Sequence, residues 1–287
     1  MKRFLQNLKM IDISIIIVSF NTKNLTVQCI KSVFKEGSKL EKEIIVVDNG
    51  SVDDSVKEIE KLKIKNRKLG SKIKIIVNSE NLGFSKANNI GIKEAKGKYI
   101  LLLNSDTVVK KGSIEALLEF ARKKKDAGAV VPKLINPDGT TQASVFRLPN
   151  IKRAIEQYWL GKEKLLDKYY PEGNTPSIVE SAVMAAFLIT PKTLKMVGLL
   201  DERYFIYFED LDYSRRIQEK GLKIYYLPSA EVIHYHGASG KNLIDERNQW
   251  RRLIPSSKIY HGTLRHYLFN FILWSGQKWR NFFKNQN

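Results

Sequence analysis

Four short apolar runs, rich in β-branched residues, recur through the first hundred or so positions: Ile13–Ser19, Glu43–Asp48, Ile73–Val77 and the start of Tyr99–Val109. Between them lie segments with helical apolar spacing. One runs from about Leu25 to Glu36, one opens at the acids and cap Asp53-Asp54-Ser55, and one is capped by Ser85 and ends near Ala95, with Gly97 at its stop. A further helix is predicted from Ser113 to Lys124. Strands alternating with helices at this spacing require long crossovers, which predicts an α/β fold with a mostly parallel sheet covered by helices on both faces.

The way the runs end carries the functional reading. YILLLNSDTVV (Tyr99–Val109) breaks into Asn104-Ser105-Asp106, while other runs close on Ser19-Phe20-Asn21 and Asp48-Asn49. Ligands sit at the carboxyl ends of parallel strands, so these polar groups are expected to converge on one crevice. A carboxylate there, Asp106, suits a hard divalent cation, and such a cation would neutralise a phosphate-bearing substrate. Asn-Ser-Asp alone more often marks a strand stopping in a polar turn; the motifs that follow shift that balance.

After Val131 the pattern changes. Asn-Pro-Asp-Gly within 136–139 predicts a hairpin turn. Residues 150–176 have no clean period and read as an excursion or mobile segment over the site. Ile178–Thr190 reads as a strand and Pro191–Val197 as a short helix. In Gly198–Gly221, Glu209-Asp210-Leu211-Asp212 falls where a helix starts. Acids there complement the macrodipole, and Asp212 with Arg216 is an ordinary i,i+4 pair. The aromatic approach Tyr204–Phe208 adds something else, because it places Asp210 at the rim of an enclosed pocket where desolvation raises its proton affinity, as a general base needs. Lys223–Leu227 and Ala230–Ile233 are strand-like, and His234 follows at a strand end, a second ligand for the cation of Asp106.

Composition bounds the rest. A chain of 287 residues with 43% hydrophobic content builds one large domain or a domain with an appendage. Its single cysteine, Cys29, lies at helical spacing among apolar residues and reads as core, in a reducing cytosolic compartment. The charge of +19 raises nucleic acid, membrane or anionic substrate as partners, but lysines run along the whole chain and a general lysine bias explains the excess equally well. Asp12 and the lack of a small-residue cleavage site argue against a signal peptide in the first twenty residues. From Leu243 on, the chain is basic and aromatic, which fits either an element lying in a membrane interface or an amphipathic helix packed back on the domain.

Taken in order, the motifs Val18-Ser19-Phe20-Asn21, Val47-Asp48-Asn49-Gly50-Ser51-Val52-Asp53, Asn81-Leu82-Gly83-Phe84 with Asn88, Asn104-Ser105-Asp106, Glu209-Asp210-Leu211-Asp212 and His234-x-x-Gly237-x-Ser239 resemble glycosyltransferase family 2, over about residues 13–240. The arrangement, including the tail SKIYHGTLRHY, is most similar to bacterial rhamnosyltransferase-like members that build surface polysaccharides. The resemblance implies a GT-A (Rossmann-like) domain over 1–240, with a nucleotide-binding half at about 11–131 and an acceptor half at about 132–240, followed by a helical extension, 241–287. It implies an inverting transferase that uses a nucleotide diphosphate sugar, dTDP-rhamnose or a UDP-sugar, and a glycan or lipid-linked glycan acceptor. By the same resemblance Asp48, Ser19, Asn21, Gly83, Asn88, Asn104 and Glu209 bind substrate, Asp106 and His234 hold Mg2+ or Mn2+, and Asp210 is the base. One departure is that Asn104 stands where the family usually has the first Asp of an Asp-x-Asp motif. The expected setting is the cytoplasm, at the inner face of the cell membrane if the tail binds lipid, with no nucleic acid partner. The alternative is a non-catalytic nucleotide-sugar or glycan-binding protein with a degenerate metal site.

Overall fold

The computed structural model describes residues 10–235, 237 and 250–284. In chain order the first part comprises β1 (Ile13–Ser19), α1 (Lys23–Lys35), β2 (Lys42–Asp48), α2 (Ser55–Lys65), α3 (Arg67–Gly70), β3 (Ile73–Val77), α4 (Phe84–Glu94), β4 (Tyr99–Leu103), β5 (Thr107–Val109) and α5 (Ser113–Lys123). The second comprises β6 (Ala127–Ile135), β7 (Val145–Phe146), α6 (Ile151–Tyr158), β8 (Ser177–Val179), β9 (Ser181–Ala182), β10 (Ala186–Ile189), α7 (Pro191–Met196), α8 (Glu209–Glu219) and β11 (Lys223–His234). Two helices close the chain, α9 (Trp250–His261) and α10 (Thr263–Lys284).

One nine-stranded sheet runs β3-β2-β1-β4-β10-β6-β11-β5, with β8 pairing β11. β1, β2, β3 and β4 are parallel, as the helical crossovers require, and β6 pairs β11 in parallel. β10 is antiparallel to both β4 and β6, so it joins the two parallel groups into one sheet. In β1, Ile13, Ile15, Ile16 and Ile17 are fully buried; each such side chain contributes about 1.5–3 kcal/mol through removal of apolar surface from water. That two-sided burial is why the run lacks polar alternation.

Several elements differ from the sequence expectation. Residues 151–158 form a helix, with Asn150 accepting the Arg153 N–H at 2.9 Å, where no period was apparent. The stretch expected as one strand over 178–190 is three short strands on two sheets. The two strand-like pieces at 223–233 are one strand: Pro228 cannot donate to a ladder, and β11 shifts register between Leu227 and Glu231 and continues.

α10 lies against α6 through Phe269, Ile272 and Leu273, which pack with Ile151, Ala154 and Leu166. Gly276 makes this possible, since a Cβ there would sit 2.6 Å from Tyr158 Cβ. Trp159 stacks on Trp279, and the Arg280 guanidinium donates to the Gln157 carbonyl. The opposite face of α10 leaves Leu264, Tyr267, Leu268, Phe271 and Trp274 exposed. No described helix is long and apolar enough to cross a membrane.

Candidate active site

The register of β1 on β2 places Ser19 beside Asp48, and β1 on β4 sets the 104–106 loop next to both. The polar ends therefore do converge, in two layers. The lower layer is structural in its contacts. Ser19 Oγ bonds the Thr26 and Thr22 hydroxyls (2.9 and 3.2 Å), and Thr22 Oγ1 donates to Ser105 Oγ at 3.1 Å, which ties the end of β1 to the loop after β4. Asn21, in the left-handed region at φ 52°, accepts the Val52 N–H at 2.8 Å. Asp48 accepts the Ser51 N–H at 2.9 Å through Oδ2, while its buried Oδ1 has no hydrogen-bond partner. Asn88 is buried in α4 and donates to the Phe84 carbonyl at 2.9 Å.

The upper layer lines a cavity of about 650 Å3 that contains Phe20, Asn49, Asn81, Gly83, Asn104, Ser105, Glu209, Asp210 and His234. Of the residues expected from sequence, Gly83, Asn104, Glu209, Asp210 and His234 thus face one space, and Ser19, Asn21, Asp48 and Asn88 support it from behind. Asn49, to which the sequence assigned no role, knits the rim: its amide donates to Asn81 Oδ1 (2.8 Å) and accepts from Asn78 and Leu82 N–H (3.0 and 3.1 Å). Gly83 permits a close approach, and the backbone that approaches is Phe205: a Cβ on Gly83 would stand 2.6 Å from the Phe205 carbonyl oxygen, which accepts the Phe84 N–H.

Asp106 and His234 meet behind the rim, Nε2 to Oδ1 at 3.5 Å. Gln142 orients the ring. Its amide nitrogen is spent on Asn136 Oδ1 (2.7 Å) and the His234 carbonyl (3.3 Å), so its oxygen faces His234 Nδ1 at 2.7 Å and accepts a hydrogen bond from it. A neutral His234 then carries its lone pair on Nε2, toward Asp106, which is the tautomer a metal ligand needs. No group of three His, Cys, Asp or Glu side chains able to hold a metal occurs among the described residues. An oxygen and an imidazole donor fit Mg2+ or Mn2+ provided that phosphate oxygens and water complete the shell, which is the usual arrangement for a cation bound with its phosphate substrate.

Glu209 and Asp210 open α8 beneath the aromatic segment, as the sequence suggested. Two non-glycine residues in succession, Tyr207 (φ 70°) and Phe208 (φ 67°), hold the left-handed region just before them, a strain that concentrates at functional sites. Asp210 Oδ1 accepts the Leu211 N–H at 2.8 Å. Burial raises the Asp210 carboxyl above its ordinary range, against the lowering effects of that N–H and of the Lys168 ammonium. Glu209 is raised as well, by burial and by the charge of Asp210, and its Oε2 is buried with no hydrogen-bond partner. Both carboxyls touch the cavity yet have protein on their other sides, so a few waters reach them without a full hydration shell. Asp212, two residues on, is buried between Arg215 (2.9 Å) and Arg216 (2.8 Å) and is structural.

Further lining comes from residues that sequence reasoning did not select, among them Phe146, Arg147, Tyr158, Leu166, Asp167, Lys168, His261, Phe269 and Leu273. His261 stacks on Phe269 at 4.8 Å between ring centres, and burial lowers it to about 4, so it lines the wall as a neutral imidazole. Gly237 is described; His236 and Ser239 of the His234 motif lie outside the described residues.

A nine-stranded α/β sheet with this order, and strand ends opening on a cavity lined by Glu209, Asp210 and His234, is the architecture of a GT-A glycosyltransferase. Residues 14–179 match the model of Glycosyl transferase family 2, and the chain belongs to that family. It is 29% identical over 213 residues to the N-acetylglucosaminyl-diphospho-decaprenol L-rhamnosyltransferase of Mycobacterium tuberculosis, covering 68% of this chain and 67% of the relative. It is 24% identical to the rhamnosyltransferase WbbL of Escherichia coli K12, over 58% of this chain and 66% of that protein. Among solved structures, GalNAc-T7 with UDP, GalNAc and Mn2+ shares the fold (TM-score 0.62, 20% identity, 79% of this chain), although this chain spans only 44% of its length. S. aureus TarS 1–349 in complex with UDP-GlcNAc gives a TM-score of 0.57 at 17% identity, covering 92% of this chain and 70% of that one.

Proposed function

We propose that this chain is an inverting, metal-dependent glycosyltransferase that moves a sugar from a nucleotide diphosphate sugar to a hydroxyl of a glycan or lipid-linked glycan in cell-surface polysaccharide synthesis. The observation that carries the reading is a single cavity lined by both Asp210, with its raised proton affinity, and His234, which has Asp106 in contact behind it. The name of the mycobacterial relative favours dTDP-rhamnose as donor and a lipid diphosphate sugar as acceptor, and the TarS complex favours a UDP-sugar; both donors belong in the test.

In this reading residues 11–131 form the nucleotide-binding half. The open Oδ1 of Asp48 accepts from base or ribose, with Ser19 and Asn21 holding its turn and Asn88 holding the start of α4. Asn104 and the rim at Gly83 face the donor. Asp106 and His234 would hold Mg2+ or Mn2+, which when bound supplies positive charge to the departing diphosphate. Asp210, fixed through Oδ1, presents Oδ2 to the acceptor hydroxyl and takes its proton as that oxygen attacks the anomeric carbon opposite the leaving group. One displacement inverts the centre, and the proton stays on Asp210 until it is lost to water. Glu209, whose proton affinity burial and the charge of Asp210 raise, lies beside it and meets a sugar hydroxyl.

Attachment to the inner face of the cell membrane would use the exposed stripe Leu264, Tyr267, Leu268, Phe271 and Trp274 on a helix pair that carries Lys and Arg but no Asp or Glu. Co-sedimentation with anionic vesicles, lost in a Phe271→Ser/Trp274→Ser variant, tests it.

The transferase reading is tested by thermal shift with UDP, dTDP and their sugars, each with Mn2+, Mg2+ or EDTA. A ligand at a hundred times its Kd stabilises by about 2.7 kcal/mol, a readily measured rise in Tm. Metal-dependent stabilisation by one nucleotide class is expected, and the absence of any shift would overturn the reading.

A further inference from the structure

The strained turn before α8 is held from one side by α9. Positions 252, 256 and 260 of that helix are four apart, so they share one face, and each meets a successive part of the 205–208 segment. The Arg252 guanidinium lies 4.8 Å from the centre of the Phe205 ring. Ser256, buried at 3% exposure, donates from Oγ to the Ile206 carbonyl at 2.9 Å. The Tyr260 ring is 5.5 Å from that of Phe208, centre to centre, and the two pack in one apolar cluster with Tyr204 and Leu211. Arg215 of α8 grips the same end of α9: its guanidinium lies 4.3 Å over the Tyr260 ring and donates to the Tyr260 carbonyl at 3.3 Å.

Tyr207 at φ 70° and Phe208 at φ 67° hold a backbone region that residues with a Cβ avoid, and such a pair persists only where its surroundings over-determine it. The carbonyls around the pair show how this is done. Phe205 accepts the Phe84 N–H at 2.6 Å and Phe208 accepts the Asp212 N–H at 2.8 Å, both backbone bonds open to almost any residue. Ile206, immediately before the strained pair, accepts from a side chain, that of Ser256. Buried helical serines commonly bond back to the carbonyl four residues earlier, whereas this one reaches across to another element. Returning Tyr207 and Phe208 to the right-handed region would swing the Ile206 carbonyl away from Ser256 and unwind the entry to α8, two residues before Asp210.

We propose that Ser256 is a positioning residue for Asp210: its hydroxyl, with Arg252 and Tyr260 on the same face of α9, holds the 205–208 turn in the conformation that keeps Asp210 enclosed against the cavity. The proposal rests on the reading of Asp210 as the base, and it adds that a helix beyond residue 240 sets that base in place. Glu209, Lys168 and Tyr260 are the titratable groups that exchange electrostatic influence with Asp210, and Arg147, Asp167 and His261 line the same cavity. Replacing Ser256 changes the charge of none of them.

The test follows the carboxyl resonance of Asp210 against pH in the full chain labelled with 13C-aspartate, the signal being assigned by its loss in Asp210→Asn. Wild type should titrate above the ordinary carboxylate range. Release of the turn admits water, which lowers a carboxyl raised by burial, so Ser256→Ala should titrate about one pH unit lower, a tenfold loss of proton affinity. Ser256→Thr keeps the hydroxyl and should return the midpoint to that of wild type. An unchanged or higher midpoint in Ser256→Ala overturns the proposal. An equal fall in both variants does so as well, because it would make the effect one of packing. If Ser256→Ala does not fold, Arg252→Lys, which keeps the charge but loses the planar stack on Phe205, is read in its place: a lower midpoint supports the proposal and an unchanged one overturns it. Binding of UDP and dTDP with Mn2+ is measured on the same samples and should be unaffected by the Ser256 variants. If neither nucleotide binds wild type while the Asp210 midpoint still follows the Ser256 hydroxyl, the positioning role stands and the transferase reading falls.

Discussion

Replacing Asp210 by Asn separates the chemistry of the site from its stability. Asn keeps the shape of the side chain and can still accept the Leu211 N–H through Oδ1, but it is never charged. Burial raises the Asp210 carboxyl above its ordinary 3.8. A carboxyl raised on folding binds its proton more tightly in the folded state. Its favourable contribution is fully present below the unfolded value and is lost as pH rises through the folded one. A rise to about 6 therefore costs the wild type about 3 kcal/mol at pH 8. The Asp210→Asn variant escapes that cost, so it should melt higher than wild type at pH 8, by about 2–4 °C for each kcal/mol. Well below pH 3.8 the two proteins should melt together, because Asp210 is then protonated in both states. Turnover should fall by about 10²- to 10⁴-fold, the usual contribution of a general base. In the wild type, turnover should climb with pH through the raised value rather than through the ordinary carboxylate range. Differential scanning calorimetry at the two pH values and a transfer assay decide it. A variant less stable than wild type at pH 8, or one with near-normal turnover, would refute the assignment of a desolvated base.

Asp212→Ala should behave in the opposite sense, losing about 2–4 kcal/mol in urea titration because Arg215 and Arg216 lose their shared carboxylate, while the pH profile of any residual activity stays put. Gly83→Ala forces a Cβ toward the Phe205 carbonyl at φ 84° and should cost roughly 2 kcal/mol, read as a lower urea midpoint. Gln142→Leu removes the acceptor that sets the His234 tautomer; Mn2+ affinity in the presence of nucleotide should drop about 10- to 100-fold by calorimetry, with nucleotide binding in EDTA unaffected. Cys29 is buried and its thiol is pushed up to about 12, so it should not react with Ellman's reagent until the chain is unfolded.

Runs buried on both faces leave a plain signature, which is why β1 and β3 occupy the residues their sequence predicted, Ile13–Ser19 and Ile73–Val77. The eight-residue α6 has too few turns to show a period, and its apolar face is explained only by α10, more than a hundred residues away. Pieces as short as β8, β9 and β10 are set by their partners rather than by propensity. The tail admitted two readings from sequence, and α10 has a face for each: one packs on α6, the other is apolar and exposed. At the site, residues at strand ends or helix starts were legible because topology brings such positions together. Gln142, Lys168 and His261 were not, because a turn, a loop and the last helix pair carry them in, and no local pattern marks that journey.

The cavity is closed by Leu253, His261, Phe269 and Leu273, all beyond the family match that ends at residue 179, whereas Val18, Phe20, Asn49, Asn81, Gly83, Asn104 and Ser105 all lie within it. The last two helices thus complete a wall to which Phe146, Arg147, Tyr158, Leu166 and Lys168, inside the match, also contribute. Exchanging only the last two helices between relatives would alter Leu253, His261, Phe269 and Leu273 and leave the strand ends, Asp210 and His234 intact. A shared donor could in this way be inherited with changing acceptors, by recombination at a single junction.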